Sequence, residues 1–257
     1  MAEEARIIET AEPFIIRPTD ALLVNDATPT FMPGGGLPVR NGHEIIPVTR
    51  KIMPLFPKRM RFATKERHPW GHIALASSYI GIAPQTRMTH DLMFRLVYER
   101  GVRGVLASHA KFDMGDLRRY LEAVGAFMLW LDHSIAGTAE AELHPDFPES
   151  EFGYVLVKGQ DPREHSYSAF RGDTGTPTEL ADVLRMQGAR RVISVGLAFD
   201  YCAGWSAVFA VDEGFEAVIV EDATRAVGTP ESSVADMRAR FRAKGIPVVQ
   251  SSQLVVA

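Results

Sequence analysis

The amino-acid sequence predicts an α/β fold in which a mostly parallel sheet is covered on both faces. Apolar runs alternate with helical patterns from about residue 21 to the C-terminus, as in consecutive βαβ units. Most of these runs are too apolar for strands with one face in water, which is typical of a parallel sheet buried between helices. The length of 257 residues and the 46% hydrophobic content fit an ordinary α/β protein and exclude a disordered or collagen-like chain.

Eight apolar runs predict the strands in order. They cover residues 21–24, 61–64, 104–108, 126–131, 153–157, 191–197, 217–220 and 246–250. Helical patterns occupy 88–100 and 114–124. Three more, at 177–187, 204–212 and 230–244, each close at a nearby glycine. We interpret residues 1–257 as a single domain, with an N-terminal extension at 1–18 and an insertion at about 80–129.

Charge and composition exclude several classes of protein. A net charge of −4 gives no basic face for nucleic acid. No run approaches the roughly 18 apolar residues of a membrane span, and the N-terminus is acidic where a secretory signal is basic. We therefore expect a cytoplasmic protein that binds neither nucleic acid nor membrane. The single cysteine, Cys202, cannot form an internal disulfide and is either a buried small hydrophobe or a reactive thiol.

Polar residues lie where the apolar runs end. In an open parallel sheet, ligands bind beyond the carboxyl ends of the strands, so these residues are the candidates for a site. In chain order they are Asp26, Glu66 with His68, His133, Lys158 and Cys202.

Cys202 has the strongest physical case for chemistry. It stands at the turn into a predicted helix, where unpaired N–H groups and the helix dipole favour a thiolate and can bind an oxyanion. Asp26 is the candidate base beside it, and Lys158 would supply a positive charge that keeps both groups ionised.

Glu66 and His68 form a candidate metal site together with His133. Residues i and i+2 of an extended segment face the same side, and a carboxylate with two imidazoles suits a divalent ion such as zinc or iron. His72 is either a fourth ligand or, as we favour, a residue that supports the ligands. We assign structural roles to the other histidines, which are His43, His90, His109, His144 and His165. Phe31, Trp130 and Tyr167 are either core residues or aromatic walls of the site.

These residues resemble the nicotinamidases (pyrazinamidases) of the isochorismatase-like cysteine hydrolase superfamily. The resemblance spans most of residues 21–227. Its segments are ALLVNDATPTFMPGGGLPV (21–39), ERHPWGHIALASSY (66–79), WLDHSIAGTAEAELHPDF (130–147), KGQDPREHSYSAF (158–170) and VGLAFDYCAGWSAVFAVDEGFEAVIVEDATRAV (195–227).

The resemblance implies a three-layer α/β/α fold and a role for each candidate. Asp26 matches the family's base, Lys158 its lysine and Cys202 its nucleophile. Glu66, His68 and His133 match the metal ligands, for zinc or iron with manganese as a third candidate. The Leu197–Ala198 peptide falls where the family has a cis bond, with an oxyanion hole made by Ala198 and Cys202. Phe31, Trp130 and Tyr167 match the aromatic residues around the pyridine ring.

The activity implied is hydrolysis of nicotinamide to nicotinate and ammonia through a thioester on Cys202. We expect a homo-oligomer, because closed symmetric assemblies are the common default for soluble proteins. The chain departs from the family pattern at Glu66, where members usually have Asp, and at Phe199, where they usually have Thr. These departures motivate an alternative, a related amidase acting on another small amide with an altered or absent metal site. A catalytically silent binding protein on the same fold is a third reading, and slow alkylation of Cys202 at neutral pH would favour it.

Overall fold

The computed structural model describes residues 12–256 and has a six-stranded parallel sheet at its centre. Across the sheet the strand order is β6-β3-β2-β7-β8-β9, and every neighbouring pair is parallel. These strands are β2 (Asp20–Asn25), β3 (Arg61–Glu66), β6 (Tyr154–Lys158), β7 (Arg191–Leu197), β8 (Glu216–Arg225) and β9 (Val248–Val249). Six of the eight predicted strands belong to this sheet.

Helices cover both faces of the sheet. Along β2, Leu22 and Val24 pack into the same core as helix α1 (Ile45–Ile52), whereas Ala21 and Leu23 belong to the core on the opposite face. That second face is covered by α4 (Leu180–Met186), α5 (Cys202–Asp212) and α6 (Ser233–Lys244). The expected three-layer α/β fold is confirmed. The longest helix within residues 12–256 has 12 residues, and no helix there is long and apolar enough to cross a membrane.

The segment between β3 and β6 has a hydrophobic core of its own. Its elements are β4 (Arg87–Thr89), α2 (His90–Arg100), α3 (Met114–Val124) and β5 (Ala126–Met128), and β4 pairs with β5 in an antiparallel ribbon. Two strand predictions are wrong here. Residues 104–108 form a turn with one isolated bridge, from Leu106 to Tyr79, and 126–131 contributes only β5, outside the central sheet. Both runs are apolar because they contribute to this separate core, as Val105 and Phe127 do.

The first and last strands of the described residues pair with each other. Strand β1 (Phe14–Ile16) pairs in parallel with β10 (Leu254–Val256), so part of the predicted extension at 1–18 is a strand. Residues 1–11 of that extension lie outside the described residues. Arg191, at the start of β7, bonds the Asp20 carboxylate and the Ile15 carbonyl and so ties this pair to the central sheet.

Candidate active site

Four neighbouring strands bring the predicted residues to one edge of the sheet. β6, β3, β2 and β7 are adjacent, and Glu66 lies directly opposite Lys158 in the register of β3 and β6. Asp26 follows the last residue of β2, and Cys202 begins α5, which follows β7. The strand ends thus place the candidate base, lysine and nucleophile around one point, as the sequence predicts.

Lys158 lies at the centre of this group. Its Nζ is 3.0 Å from Asp26 Oδ2, 2.9 Å from Glu66 Oε1 and 3.6 Å from Cys202 Sγ. It also donates to the Ser166 carbonyl at 2.8 Å. Burial opposes the ammonium charge, but the neighbouring acidic groups outweigh it and raise the pKa of Lys158 well above its usual range. The side chain is therefore a fixed cation.

Asp26 is held so that one carboxylate oxygen stays available. The residue has a left-handed backbone (φ +42°), and Thr64 Oγ1 both accepts from its N–H at 3.0 Å and donates to its Oδ1 at 2.7 Å. The other oxygen, Oδ2, is paired with Lys158 but receives no aligned hydrogen bond from it. Burial raises the pKa of Asp26, with Lys158 opposing. A carboxylate with a raised pKa and a free lone pair can accept a proton.

The Cys202 thiol differs from the sequence-based expectation of a depressed pKa. Its side chain is buried, and burial raises its pKa well above the usual value, with Asp26 and Glu66 adding to the rise and Lys158 opposing it. Burial and two carboxylates therefore outweigh the helix N-terminus. The resting group is a thiol, and its activation requires transfer of the proton to a base.

The turn before α5 leaves N–H groups beside this thiol. The Leu197–Ala198 peptide bond is cis, as the resemblance implies. The Ala198 carbonyl accepts hydrogen bonds from the N–H groups of Tyr201 and Ala203. Within residues 12–256, the N–H groups of Ala198 and Cys202 donate to no other protein group. Both residues line the pocket, so these donors are available to a ligand.

Glu66 is surrounded by imidazole nitrogens. Its Oε1 is 3.4 Å from His68 Nε2 and 3.6 Å from His165 Nε2, and its Oε2 is 3.2 Å from His133 Nε2. Burial would raise the pKa of Glu66, but Lys158 and His68 hold it well below the usual value, so the side chain is a carboxylate. Burial lowers the pKa of His68 to about 4, which makes that ring neutral at neutral pH. A neutral imidazole beside a carboxylate is in the state that binds metal.

The donor atoms fit a divalent ion. His68 Nδ1 faces the Gly159 carbonyl at 2.8 Å, and its buried Nε2 has no hydrogen-bond partner in the described part of the chain. Glu66 Oε1 lies 3.4 Å from His68 Nε2 and 3.6 Å from His165 Nε2, close to the edge of about 3.4 Å expected for four ligands around zinc, and the ligand atoms of these three residues lie within 4.8 Å of one another. His133 Nε2 approaches the other carboxylate oxygen at 3.2 Å and lies outside that group. The longer side chain of Glu66 is therefore compatible with a metal site.

His133 and His72 reach the site in different ways. His133 comes from a loop and not, as predicted, from a neighbouring strand, because residues 130–135 pair with 68–75 only through isolated bridges. His72 packs against His68, with the ring centroids 4.1 Å apart and the ring planes tilted by 32°. Both His72 nitrogens are engaged, Nδ1 with the Ala74 N–H at 3.1 Å and Nε2 with the Glu164 carbonyl at 3.0 Å. His72 is thus placed as a supporting residue.

Sequence reasoning missed His165. The structure buries it against Glu66 and in the pocket wall, whereas His43, His90, His109 and His144 do not line this pocket. The signal for it was its position two residues before Tyr167, in the segment that follows β6. That segment has no regular secondary structure, so no periodicity indicated which side chains point inward.

A small pocket opens beside these groups. Phe31, Trp130 and Tyr167 all line it, and Trp130 Nε1 donates to the Tyr167 hydroxyl at 3.0 Å. Tyr201 packs edge-on against Trp130 at 5.1 Å between centroids. Aromatic walls with Cys202, Glu66 and His133 along the lining suit a small planar ring that carries a polar substituent.

Comparisons with known proteins agree with this geometry. The family model described as the Isochorismatase domain matches residues 126–253. A nicotinamidase from Acinetobacter baylyi (strain ATCC 33305 / BD413 / ADP1) is 30% identical over 239 residues, which cover 92% of this chain and 94% of that protein.

Two similar solved structures contain a bound ligand. PnC1 from L. infantum, in complex with nicotinate, has a TM-score of 0.72 at 26% identity and covers 95% of this chain and 100% of its own. The pyrazinamidase of Pyrococcus horikoshii, in complex with zinc, has a TM-score of 0.61 at 28% identity and covers 91% and 99%.

Proposed function

We propose that this chain, which belongs to the nicotinamidases of the isochorismatase-like hydrolases and is a hydrolase acting on an amide, converts nicotinamide to nicotinate and ammonia. The observation that carries the proposal is the convergence of Asp26, Lys158 and Cys202 beside an aromatic pocket. A nucleophile within reach of a base, which is oriented by a third group, is the arrangement of covalent acyl transfer.

The first half of the reaction forms a thioester. Asp26 Oδ2 takes the Cys202 proton as the sulfur attacks the carboxamide carbon, and the carbonyl oxygen becomes an oxyanion. The N–H groups of Ala198 and Cys202 stabilise this oxyanion. The C–N bond then breaks, Asp26 returns the proton to the leaving nitrogen, and ammonia departs. Lys158 stabilises the negative charge that moves between Asp26 and the sulfur.

The second half releases the acid. Water attacks the thioester carbon while Asp26 accepts one of its protons. The C–S bond breaks, Asp26 returns the proton to the Cys202 sulfur, and the thiol is regenerated. The product leaves as nicotinic acid, which loses its remaining acidic proton to water and becomes nicotinate. The same base therefore serves both halves, which is consistent with a carboxylate whose pKa is raised by burial.

Glu66, His68 and His133 are the residues that would hold a divalent ion, with zinc or iron favoured and manganese as a third candidate. When bound, such an ion would supply a positive anchor for the pyridine nitrogen, directly or through water. The aromatic walls, Phe31, Trp130 and Tyr167, orient the ring so that the carboxamide faces Cys202.

A second candidate function is hydrolysis of a different small amide. Glu66 favours it, because Glu is one methylene longer than the Asp that family members usually have here, and this changes where the carboxylate would meet an ion. Phe199 does not favour it: this side chain is buried against Phe241 of α6, at 5.4 Å between ring centroids, and does not narrow the pocket.

Ammonia release across a panel of amides tests the proposal. We expect the purified enzyme to act on nicotinamide and pyrazinamide faster than on aliphatic amides, and treatment with a chelator to lower the rate. Cys202→Ala should abolish turnover while circular dichroism stays unchanged. Preference for an aliphatic amide, unaffected by chelator, would favour the second candidate.

The third hypothesis, a catalytically silent binding protein, is tested by the same ammonia-release assay. Because burial raises the pKa of Cys202, slow alkylation at neutral pH is also expected of the enzyme and does not separate the two. Wild-type protein that releases no ammonia from any amide, with its metal restored, would support the silent reading.

A further inference from the structure

We propose that His165 is an additional ligand of the divalent ion, so that this chain surrounds the ion with Glu66 and three imidazoles. The inference rests on the ion-binding part of the proposed function. It concerns a residue outside the set Glu66, His68 and His133 that the sequence resemblance implies.

The donor atoms of His165 are in place for this role. One ligand atom each from Glu66, His68 and His165 lie within 4.8 Å of one another, and all three residues are buried. His165 Nε2 is 3.6 Å from Glu66 Oε1, close to the 3.4 Å of His68 Nε2. Both values are near the edge of about 3.4 Å of a tetrahedral zinc site. His133 approaches the other oxygen of the same carboxylate.

The surroundings of His165 fix its ring with Nε2 inward. Its Nδ1 faces Asp173 Oδ2 at 3.6 Å, and Asp173 is itself held by the Tyr120 hydroxyl at 2.9 Å. The ring packs edge-on against Tyr167 at 4.2 Å between centroids. Histidine ligands commonly direct their second nitrogen at a carboxylate or carbonyl, which orients the ring and increases its basicity.

The other two imidazoles have the same arrangement. His68 Nδ1 faces the Gly159 carbonyl at 2.8 Å, and His133 Nδ1 faces the Leu131 carbonyl at 2.7 Å. In all three rings Nδ1 is therefore turned to an acceptor and Nε2 to Glu66.

A purely structural role explains this convergence poorly. Glu66 Oε1 already accepts a hydrogen bond from Lys158 at 2.9 Å, so the carboxylate does not need three more donors. His68 Nε2, moreover, is buried without a hydrogen-bond partner among the described residues. A cation bound to this nitrogen would satisfy it. A fourth protein ligand would hold the ion more tightly than the three that are common in catalytic zinc sites, and the proposed anchor for the pyridine nitrogen would then use a fifth position.

The test is metal binding by His165→Asn. Asparagine places a nitrogen near the position of Nδ1, so it keeps a partner for Asp173 but removes the donor at Nε2. The control is His144→Asn, because His144 is a partly exposed histidine paired with Asp146 and does not line the pocket. Zinc affinity is measured on metal-stripped protein by competition with a chromophoric chelator, and the visible spectrum of the cobalt(II) form reports the ligand set.

We expect His165→Asn to bind zinc at least about tenfold more weakly, with an altered cobalt spectrum, while His144→Asn matches the wild type. The thermal midpoint of the metal-free variant should stay close to that of the metal-free wild type, which separates a lost ligand from a damaged fold. Zinc affinity within twofold of wild type and an unchanged spectrum would overturn the inference, as would a wild-type protein that binds no ion.

Asp173→Asn provides a second variant should His165→Asn fail to fold. It retains all the ligands but removes the charge opposite His165 Nδ1, and we expect zinc affinity to fall severalfold. An unchanged affinity would count against the inference. The amidase proposal fails separately: intact zinc binding without ammonia release from nicotinamide refutes the activity and leaves the ligand assignment standing.

Discussion

Asp26 and Glu66 both contact the Lys158 ammonium, yet their surroundings shift their pKa values in opposite directions. Burial raises the pKa of Asp26 and is only partly opposed by Lys158. For Glu66 burial acts in the same sense, but Lys158 and the adjoining imidazoles outweigh it and lower the pKa. The two carboxylates of one site thus differ: the raised pKa of Asp26 suits its proposed role as a proton acceptor, and the lowered pKa of Glu66 keeps it an anion suited to a cation.

Asp26→Asn tests the residue-level account. We expect it to fold and to lower kcat/KM for nicotinamide by about 10²- to 10⁴-fold, because the amide cannot accept the Cys202 proton. Asp20→Asn is the matched control, a buried aspartate at the other end of β2 that pairs with Arg191. It should lose up to about 3 kcal/mol of unfolding free energy and keep its activity per folded molecule. Equal activity losses in the two variants would refute a specific role for Asp26.

At the scale of elements, the turn after β6 positions His68, one of the proposed metal ligands. Gly159 has φ +72°, and a Cβ built there would lie 2.7 Å from His68 Cε1 and 2.9 Å from Nδ1. The Gly159 carbonyl also faces that ring nitrogen. The turn therefore wraps the His68 ring closely, and only glycine fits at this position.

Gly159→Ala should displace His68. We expect zinc affinity to fall at least about tenfold, measured by chelator competition. Gly245→Ala is the control, since Gly245 has a similar φ of +65° and nothing within 4 Å of its Cβ position. Both variants carry the left-handed strain of about 1 kcal/mol, but only the first crowds the His68 ring. Matching zinc affinities in the two variants would contradict this view of the turn.

Site residues at the ends of strands and helices could be predicted from the sequence, whereas those in irregular segments could not. Asp26, Glu66, Lys158 and Cys202 lie at strand or helix ends, and parallel strands bring such ends to one edge, so the sequence pattern located them. His165 lies in a segment without regular structure, where no periodicity indicates direction. The raised pKa of Cys202 could not be predicted either, because it depends on burial and on charges from β2 and β3.

At the scale of the whole molecule, the central sheet and the helices α2 and α3 were predictable, whereas the strands of the 73–129 region were not. Runs buried between two helical layers and runs buried in a small separate core have the same composition, so 104–108 and 126–131 were predicted as strands. This second core adjoins the pocket: Tyr120 of α3 bonds Asp173 beside His165, and Trp130 follows β5 into the pocket wall.

Buried neutral imidazoles should make the whole fold sensitive to acid. The pKa of His68 is about 4 in the folded protein against 6.5 ordinarily, because burial disfavours its charged form. Below pH 6.5 the unfolded chain binds a proton there that the folded chain excludes down to about pH 4. The unfolding free energy should therefore fall with pH across this window, by about 3 kcal/mol for this group. His72 acts in the same direction.

Urea unfolding of the metal-free protein between pH 7 and pH 4.5 measures this effect. His68→Asn should show a shallower dependence on pH than the wild type in that window. Parallel curves for the two proteins would mean that His68 is not the neutral buried group described above.

The central claim, covalent amide hydrolysis by Cys202, is tested most directly by trapping the thioester. Wild-type enzyme mixed with excess nicotinamide is quenched in acid, and the peptide that contains Cys202 is analysed by mass spectrometry. Because the chain has one cysteine, a thioester can form at only one residue. We predict a nicotinoyl adduct on Cys202 that disappears as nicotinate is released and is absent from Cys202→Ala. Turnover of nicotinamide by Cys202→Ala at a rate near that of the wild type, with no adduct in either protein, would contradict the account.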